Sequence, residues 1–329
     1  MPKIIRQKIQ APMTTPLPSL MRTQDVKKTL DPYLNDTPTL RLPEIYNNIT
    51  LYAKFEIWQQ SGSFKFRGAL NSLLNLPKQA QDKGVIAISA GNHAIAVCLA
   101  AKLLNIKTTV VMPKFVDPSR IAKCKALGAK VCLGEDMPDS FKLLNEIINE
   151  QNLSLIHPFE GIYITEGTGT IALEMHQAVS DLDAIVVAIG GGGLISGAGH
   201  TLKMLNPNCM VYGVEPTGAN AMSSSFLNGK TTKVTLSSMV HSLSAPQTEN
   251  FSYSACTNVI DGLVNITDKD TKRVMKMVHD TLGLAIDPAA VISLAAIDGP
   301  LKSELLGKKV GIIFCGSNLD FSEFNRLIN

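Results

Sequence analysis

Six short runs of apolar, mostly β-branched residues recur along the chain, and segments of helical composition separate most of them. Short runs with so few polar residues are typical of strands buried in a parallel sheet. The predicted strands span residues 85–89, 108–112, 130–133, 185–189, 210–214 and 310–314, and the predicted helices span residues 94–104, 118–127, 139–150, 170–178 and 268–282. Because strands alternate with helices, the sequence predicts βαβ units and an α/β fold with a doubly wound parallel sheet.

Composition excludes several classes of protein. Hydrophobic residues make up 45% of the 329 residues and charged residues only 18%, so the chain can bury a core and is not globally disordered. The 31 Lys and Arg residues are scattered and nearly balanced by 28 Asp and Glu, which predicts no nucleic-acid partner. Six cysteines without a CxxC pair predict reduced thiols. No apolar run reaches the ~18 residues of a membrane span, so we expect no membrane association and a cytoplasmic location.

Three turns that follow predicted strands have unusual sequences. In doubly wound sheets, ligands bind beyond the carboxyl ends of the strands, so these turns are the first places to look for chemistry. They are the Ser89 loop (Ser89, Ala90, Gly91, Asn92 and His93), the glycine loop (Gly190, Gly191, Gly192 and Gly193, followed by Leu194) and residues 315–318. The sequence has no internal repeat or flexible linker, so a second domain would arise by insertion.

The glycine loop indicates a phosphate site, because backbone N–H groups at a helix start can converge on an anion where no Cβ interferes. The alternative is a loop whose glycines only permit a sharp turn. Gly191, Gly193 and Gly197, with Glu215 after the next strand, also resemble a dinucleotide-binding fingerprint. A nicotinamide-dependent oxidoreductase therefore remains an alternative at this point.

Lys65 lies in an apolar context flanked by Ser and Gly, where a lysine is not needed for solubility. Desolvation would lower its pKa and supply the neutral amine that forms a Schiff base. The alternative is a lysine at a helix start whose ammonium lies in water.

The Ser89 loop and Cys315 are further candidates. Free N–H groups at the helix start after Ser89 would bind a carboxylate, and Asn92 could bind a ring hydroxyl or simply cap the helix. His93 is more typical of a packed or capping histidine. Cys315 would either point into the crevice at the end of the last strand or act as a small buried hydrophobe.

Taken together and in this order, the motifs at residues 62–69, 89–94, 190–194, 213–216 and 315–318 resemble those of the pyridoxal-phosphate-dependent threonine/serine dehydratases. The similarity covers roughly residues 30–325. It implies the tryptophan-synthase-β fold, known as fold type II, with two doubly wound parallel-sheet domains and the active site between them. Residues 1–75 and 160–329 would form the large cofactor-binding domain, and residues 76–159 a small mobile domain that includes the Ser89 loop.

The resemblance also implies roles for individual residues. Lys65 would be the catalytic lysine that forms the Schiff base with pyridoxal phosphate, and Cys315 would face the pyridine nitrogen. Phe64 would lie near the cofactor, Asn92 would bind its ring hydroxyl, and Gly190, Gly191, Gly192, Gly193 and Leu194 would hold its phosphate. The substrate carboxylate would be bound by Ser89, Ala90, Gly91, Asn92 and His93.

The activity that the resemblance implies is conversion of L-threonine to 2-oxobutanoate and ammonia, with L-serine as a slower substrate that gives pyruvate. Alternatives are a dehydratase of another β-hydroxy amino acid such as 3-hydroxyaspartate, which needs an extra cationic contact, and a member that binds ligands without catalysis. The partner would be a small amino-acid substrate, and the enzyme would be a homodimer or homotetramer.

This sequence departs from the family pattern at several positions. Ala90 replaces the serine of members that racemise serine, so we expect weak racemase activity. Ala221 stands where cation-binding members have a carboxylate, so we expect no metal site, with Glu215 as the one candidate ligand. Ile95 and Thr168 replace glutamines that are common in the family, which leaves the preferred substrate open.

Overall fold

The protein is described here by a computed structural model that covers residues 4–6 and 10–329. Its strands are β1 (Thr39–Arg41), β2 (Thr50–Lys54), β3 (Val85–Ile88), β4 (Thr108–Pro113), β5 (Lys130–Gly134), β6 (Ser154–Leu155), β7 (Ala184–Ala188), β8 (Met210–Pro216), β9 (Gly262–Ile266) and β10 (Lys309–Ile313). Its α-helices are α1 (Leu20–Leu30), α2 (Lys65–Leu74), α3 (Lys78–Lys83), α4 (Asn92–Leu103), α5 (Pro118–Ala126), α6 (Met137–Gln151), α7 (Ile162–Ala178), α8 (Gly193–Leu205), α9 (Ala221–Asn228), α10 (Asn250–Val259), α11 (Asp268–Leu282), α12 (Pro288–Asp298), α13 (Lys302–Leu305) and α14 (Phe321–Ile328). Residues 1–3 and 7–9 of the predicted large domain lie outside the described residues.

The strands form two sheets. The larger has the order β1-β2-β10-β7-β8-β9, in which only β1 is antiparallel to its neighbour, and the smaller has the order β5-β4-β3-β6 and is wholly parallel. Strand β7 is buried at all five positions and β3 at all four, as expected of parallel strands covered on both faces. The α/β class and the two parallel-sheet domains are confirmed.

The strand order reverses once in each sheet. In the larger sheet the chain returns to insert β10 between β2 and β7, so the carboxyl ends of β7 and β10 lie side by side. In the smaller sheet β3 lies between β4 and β6, so the ends of β3 and β6 are adjacent. Such reversals create the crevices in which α/β proteins bind ligands.

All six predicted strands are present, with ends that differ from prediction by one or two residues. Four further strands, β1, β2, β6 and β9, were not predicted. Strand β6 has only two residues and β1 only three, and neither provides a detectable apolar run. Strand β9 begins with Gly262 and contains Asn265, so its pattern is interrupted.

Two predicted helices illustrate where composition succeeds and fails. Helix α11 has the predicted bounds, whereas the helix predicted from residue 170 begins eight residues earlier, at Ile162. The missed half contains Gly167 and Gly169, which lower helix propensity. A Cβ on Gly167 would lie 2.5 Å from the carbonyl oxygen of Arg67, so this glycine lets α7 pack closely against α2.

No helix among the described residues has the length and apolar character needed to span a membrane.

Candidate active site

The two strand-order reversals bring the predicted motifs together in two pairs. The glycine loop follows β7 and Cys315 follows β10, and these strands are parallel neighbours. The Ser89 loop follows β3, and the segment that begins at Ile156 follows its neighbour β6. Contacts from Lys65 and Asn92 join the two pairs, as described below.

Lys65 is the first residue of α2 and is held from both sheets. The preceding turn is fixed by an antiparallel bridge between Ser63 and Gly316 and by a 3.0 Å hydrogen bond from the Phe64 N–H to the carbonyl oxygen of Cys315. The Lys65 amine donates a 2.5 Å hydrogen bond to the carbonyl oxygen of Pro158, which follows β6. It also lies 5.0 Å from the centre of the Phe64 ring.

Burial makes the Lys65 amine easy to deprotonate. Desolvation lowers its pKa to about 8. Burial, together with the charge of Lys65, also lowers the pKa of His93 to about 3 and that of His157 to about 4. Both imidazoles are therefore neutral at physiological pH, and Lys65 is the group among these three that can exchange a proton there.

An ion-pair network fixes the helix that begins with Lys65. Arg67 is fully buried and donates two 2.8 Å hydrogen bonds to Glu56 and two 2.7 Å hydrogen bonds to Glu174. Lys54 adds a 2.5 Å contact to Glu174. The network joins β2 and α7 to α2, so it fixes the position from which the Lys65 side chain extends.

The glycine loop presents unpaired donors. The backbone N–H groups of Gly190, Gly191, Gly192, Gly193 and Leu194 have no acceptor among the described residues. Gly192 has φ +103°, a conformation that favours glycine, and it precedes the first residue of α8. A Cβ on Gly191 would lie 2.2 Å from the ring of Phe159, so the loop has no room for side chains. A run of free N–H groups at a helix start can bind a phosphate.

The Ser89 loop presents a second set of donors at the start of α4. The N–H groups of Ala90, Asn92, His93 and Ala94 have no acceptor within the described part of the chain, whereas the Gly91 N–H donates to Ser89 Oγ at 3.1 Å. Free donors at a helix start suit a carboxylate.

The side chains of the Ser89 loop face different partners. Asn92 Oδ1 accepts a 2.9 Å hydrogen bond from Asn318 Nδ2, so Asn92 links the smaller sheet to the segment after β10. His93 is buried, and its Nε2 donates to the carbonyl oxygen of Ile156 at 2.8 Å. His93 therefore joins the ends of β3 and β6, in agreement with the packing interpretation of this residue.

Cys315 lies next to a buried acid that sequence reasoning missed. Burial, reinforced by the nearby Asp287, raises the pKa of the Cys315 thiol, so it is neutral at physiological pH. Asp287 precedes α12, and its carboxylate accepts hydrogen bonds from Ser242 Oγ at 2.7 Å and from the Ala289 N–H at 2.9 Å. Burial raises the pKa of Asp287. The local pattern of Asp287 and Pro288 marks only a helix start, and nothing in it indicates the contact with Ser242 or the proximity of Cys315.

Glu215 is not placed to bind a ribose or a metal ion. It is fully buried, and its two carboxylate oxygens accept the N–H groups of Met222 and Ser223 at 2.8 and 2.7 Å at the start of α9. Gly197 serves helix packing, because a Cβ there would lie 2.1 Å from Thr168 Oγ1. The dinucleotide interpretation thus loses its acidic residue. Among the described residues, no group of three or more His, Cys, Asp or Glu side chains could hold a metal ion.

The donor set fits pyridoxal phosphate. The free N–H groups of the glycine loop suit its phosphate, the Lys65 amine suits its aldehyde, and the neutral Cys315 thiol suits an unprotonated ring nitrogen. Ser63, also missed from the sequence, is fully buried, and its hydroxyl has no hydrogen-bond partner in the described structure. A buried polar atom of this kind next to Lys65 is expected where a polar ligand completes the site.

Comparisons with known proteins identify the same cofactor. A model of the family described as "Pyridoxal-phosphate dependent enzyme" matches residues 30–316. The chain is 39% identical to phenylserine dehydratase of Ralstonia pickettii over 95% of this chain and 97% of that protein, and 32% identical to L-threo-3-hydroxyaspartate ammonia-lyase of Saccharomyces cerevisiae over 93% and 94%. The solved structure of processed threonine deaminase isoform 2 from Solanum lycopersicum superposes with a TM-score of 0.90 at 27% identity, covering 99% of this chain and 98% of that one. This chain therefore belongs to the pyridoxal-phosphate-dependent enzymes and has their fold type II architecture.

Proposed function

We propose that the protein is an ammonia-lyase that converts L-threonine to 2-oxobutanoate and ammonia, and L-serine to pyruvate more slowly. One observation supports this most directly: an amine with a pKa of about 8, that of Lys65, lies at the junction of two loops with free N–H donors. The Ser89 loop would bind the substrate carboxylate, and the glycine loop with Leu194 would bind the cofactor phosphate.

In this proposal Lys65 is the catalytic residue and removes the α-proton. With its pKa near 8, a substantial fraction of the amine is neutral at pH 7–8 and able to accept a proton. His93 and His157 stay neutral and cannot protonate the leaving hydroxyl, so among these three side chains Lys65 is the one that can return a proton to it. The amine is desolvated, and the Phe64 ring lies 5.0 Å from it.

Pyridoxal phosphate, when bound, spreads over its conjugated system the charge left by removal of the α-proton. Cys315 would face the ring nitrogen as an uncharged thiol. A neutral partner there favours loss of the β-hydroxyl over transamination, because elimination needs less stabilisation of the carbanion. Asn92 would bind the ring hydroxyl.

A β-aryl substrate is the second candidate, favoured by the 39% identity to phenylserine dehydratase. For 3-hydroxyaspartate the site offers less support, since a second carboxylate needs a cation. Arg120, a cation beside the Ser89 loop, is already paired with Glu323 at 3.0 Å.

We also propose that residues 76–159 move as a small domain and that the enzyme is a homodimer or homotetramer. Movement of this segment would open the site, because it contains the Ser89 loop and Pro158, the partner of the Lys65 amine.

The test is a product assay with purified enzyme and added pyridoxal phosphate. L-Threonine, L-serine, L-threo-phenylserine and L-threo-3-hydroxyaspartate are compared by kcat/KM for release of ammonia and the matching 2-oxo acid, with Lys65→Ala as the negative control. The proposal expects the highest value for L-threonine and none in the variant. A higher value for phenylserine would replace the substrate and keep the reaction, and no ammonia from any of the four would refute the proposed function.

A further inference from the structure

The peptide between Ala90 and Gly91 is fixed at both ends. Its carbonyl oxygen, on Ala90, accepts a 3.3 Å hydrogen bond from Nη1 of Arg120 in α5, and its N–H, on Gly91, donates to Ser89 Oγ at 3.1 Å. The free N–H groups of Asn92 and His93 follow immediately along the chain. The orientation of this peptide therefore sets the direction of the donors that begin α4.

Arg120 is itself held by the last helix of the chain. Its Nη2 donates to Glu323 Oε2 of α14 at 3.0 Å. The two side chains are only 15% and 17% exposed, so this pair is better shielded from water than a typical surface ion pair. Because the guanidinium is rigid and planar, one side chain in contact with both Glu323 and Ala90 transmits the position of α14 to the Ser89 loop.

A second contact follows the same path. Asn318, three residues before α14, donates to Asn92 Oδ1 at 2.9 Å and to the carbonyl oxygen of Ser61 at 2.7 Å. It also accepts a 3.4 Å hydrogen bond from Lys123 of α5. The Ser89 loop is thus attached to the segment 318–323 at two points. Ala90 is linked to Glu323 through Arg120, and Asn92 contacts Asn318 directly.

We propose that Arg120 is a positioning residue for binding of the substrate carboxylate, and that Glu323 acts on the carboxylate site through Arg120. The proposal rests on the proposed function, in which the Ser89 loop binds that carboxylate. Neither side chain touches the reacting atoms, so their loss should change substrate affinity rather than the chemical step.

The variants are Arg120→Gln, Glu323→Gln and the double variant. Matched controls remove an exposed cation from the same helices, Lys125→Gln on α5 and Arg326→Gln on α14. Loss of one charge-assisted hydrogen bond changes affinity ~10-fold, so we expect each single variant to raise KM ~10-fold and to change kcat less than about two-fold. Because Glu323 acts through Arg120, the double variant should match Arg120→Gln alone.

Amide hydrogen exchange over residues 89–95 supplies a readout that does not depend on turnover. We expect exchange to be ~10-fold faster in both single variants than in the controls. Control-like exchange and KM in Arg120→Gln, or additive effects in the double variant, would overturn the proposal. If the wild type releases no ammonia, the proposed function fails, and the exchange rates alone decide whether Arg120 and Glu323 position the loop. Arg120→Lys, which keeps the charge but not the planar fork, should give intermediate exchange and guards against a variant that simply misfolds.

Discussion

Replacing Arg67 with methionine should destabilise the protein strongly, because Arg67 neutralises a buried acid. Arg67 and Glu56 are both fully buried and are joined by two hydrogen bonds of 2.8 Å. In Arg67→Met the Glu56 carboxylate would keep one side-chain donor, the hydroxyl of Thr37 at 2.6 Å. Glu174 would be affected less, since it is 15% exposed and retains Lys54.

The magnitude follows from these contacts. Removing one partner of a buried ion pair costs about 3–5 kcal/mol, because the remaining charge is left uncompensated. The loss from Glu56 alone lies in this range. A partly exposed pair gives the contrast: Arg273 contacts Asp298 at 2.8 Å but is 51% exposed, so Arg273→Met should cost less than about 1 kcal/mol.

The assay is urea unfolding of the cofactor-free enzyme, with Arg273→Met as the matched control. A second variant, Arg67→Met with Glu56→Gln, removes the uncompensated charge and should recover part of the lost free energy of unfolding. If Arg67→Met loses no more stability than the control, or if the added Glu56→Gln recovers nothing, the reasoning about Glu56 is wrong.

Four further perturbations test the site. Burial raises the pKa of Glu174, but the charges and hydrogen bonds of Arg67 and Lys54 outweigh burial and lower this pKa from 4.5 to about 2. The stability of the wild type should therefore fall as the pH drops from 4.5 towards 2, and Glu174→Gln should flatten this part of the acid unfolding profile. Acetylation of Lys65 in the cofactor-free enzyme should rise with pH through a midpoint at about 8 and then level off, as read by mass spectrometry of its peptide, whereas an ordinary lysine has its midpoint at about 10.4. If Cys315 faces the ring nitrogen as proposed, Cys315→Asp should lower kcat for dehydration ~10-fold or more, because it would add a negative charge there, and Cys315→Ser should retain activity. Equal kcat in the Asp variant and the wild type would contradict the proposed role of the thiol. Gly191→Ala should weaken binding of pyridoxal phosphate ~10-fold or more in a spectroscopic titration, since its Cβ would lie 2.2 Å from the ring of Phe159.

Sequence patterns predicted those elements in which burial follows a regular repeat along the chain, such as buried strands and amphipathic helices. All six apolar runs became parallel strands; five are largely buried, whereas in β5 only Gly134 is buried. Helix α11 had the predicted bounds because its polar and apolar residues alternate with helical period and Gly283 ends it with φ +67°. Helix α2 was not among the predicted helices, although one interpretation of Lys65 placed it at a helix start. Its first turn follows a loop that is fixed by distant residues, through the Ser63–Gly316 bridge, and no local signal marks that contact.

The candidate site was predicted as a set of motifs, and the structure adds what lies between them. Where a predicted strand is followed by a short polar or glycine-rich turn and then by a helix, free N–H groups are expected at the start of that helix. This pattern identified the Ser89 loop and the glycine loop. Pro158, Asp287 and Arg120 were missed, because each acts through a contact with a residue more than 25 positions away. The spacing of residues along the sequence does not indicate such long-range contacts.

Ile95 and Thr168, which replace glutamines common in the family, both pack within the protein. Ile95 is 5% exposed and belongs to an apolar cluster between α4 and β4, and Thr168 Oγ1 donates to the carbonyl oxygen of Gly193 at 2.8 Å, joining α7 to α8. Both side chains therefore make contacts within the protein. Ala90 differs from both, because its peptide lies in the Ser89 loop itself and its side chain cannot transfer a proton. Of these three positions, only Ala90 lies in the Ser89 loop, and because its methyl group cannot transfer a proton we expect racemase activity to be weak.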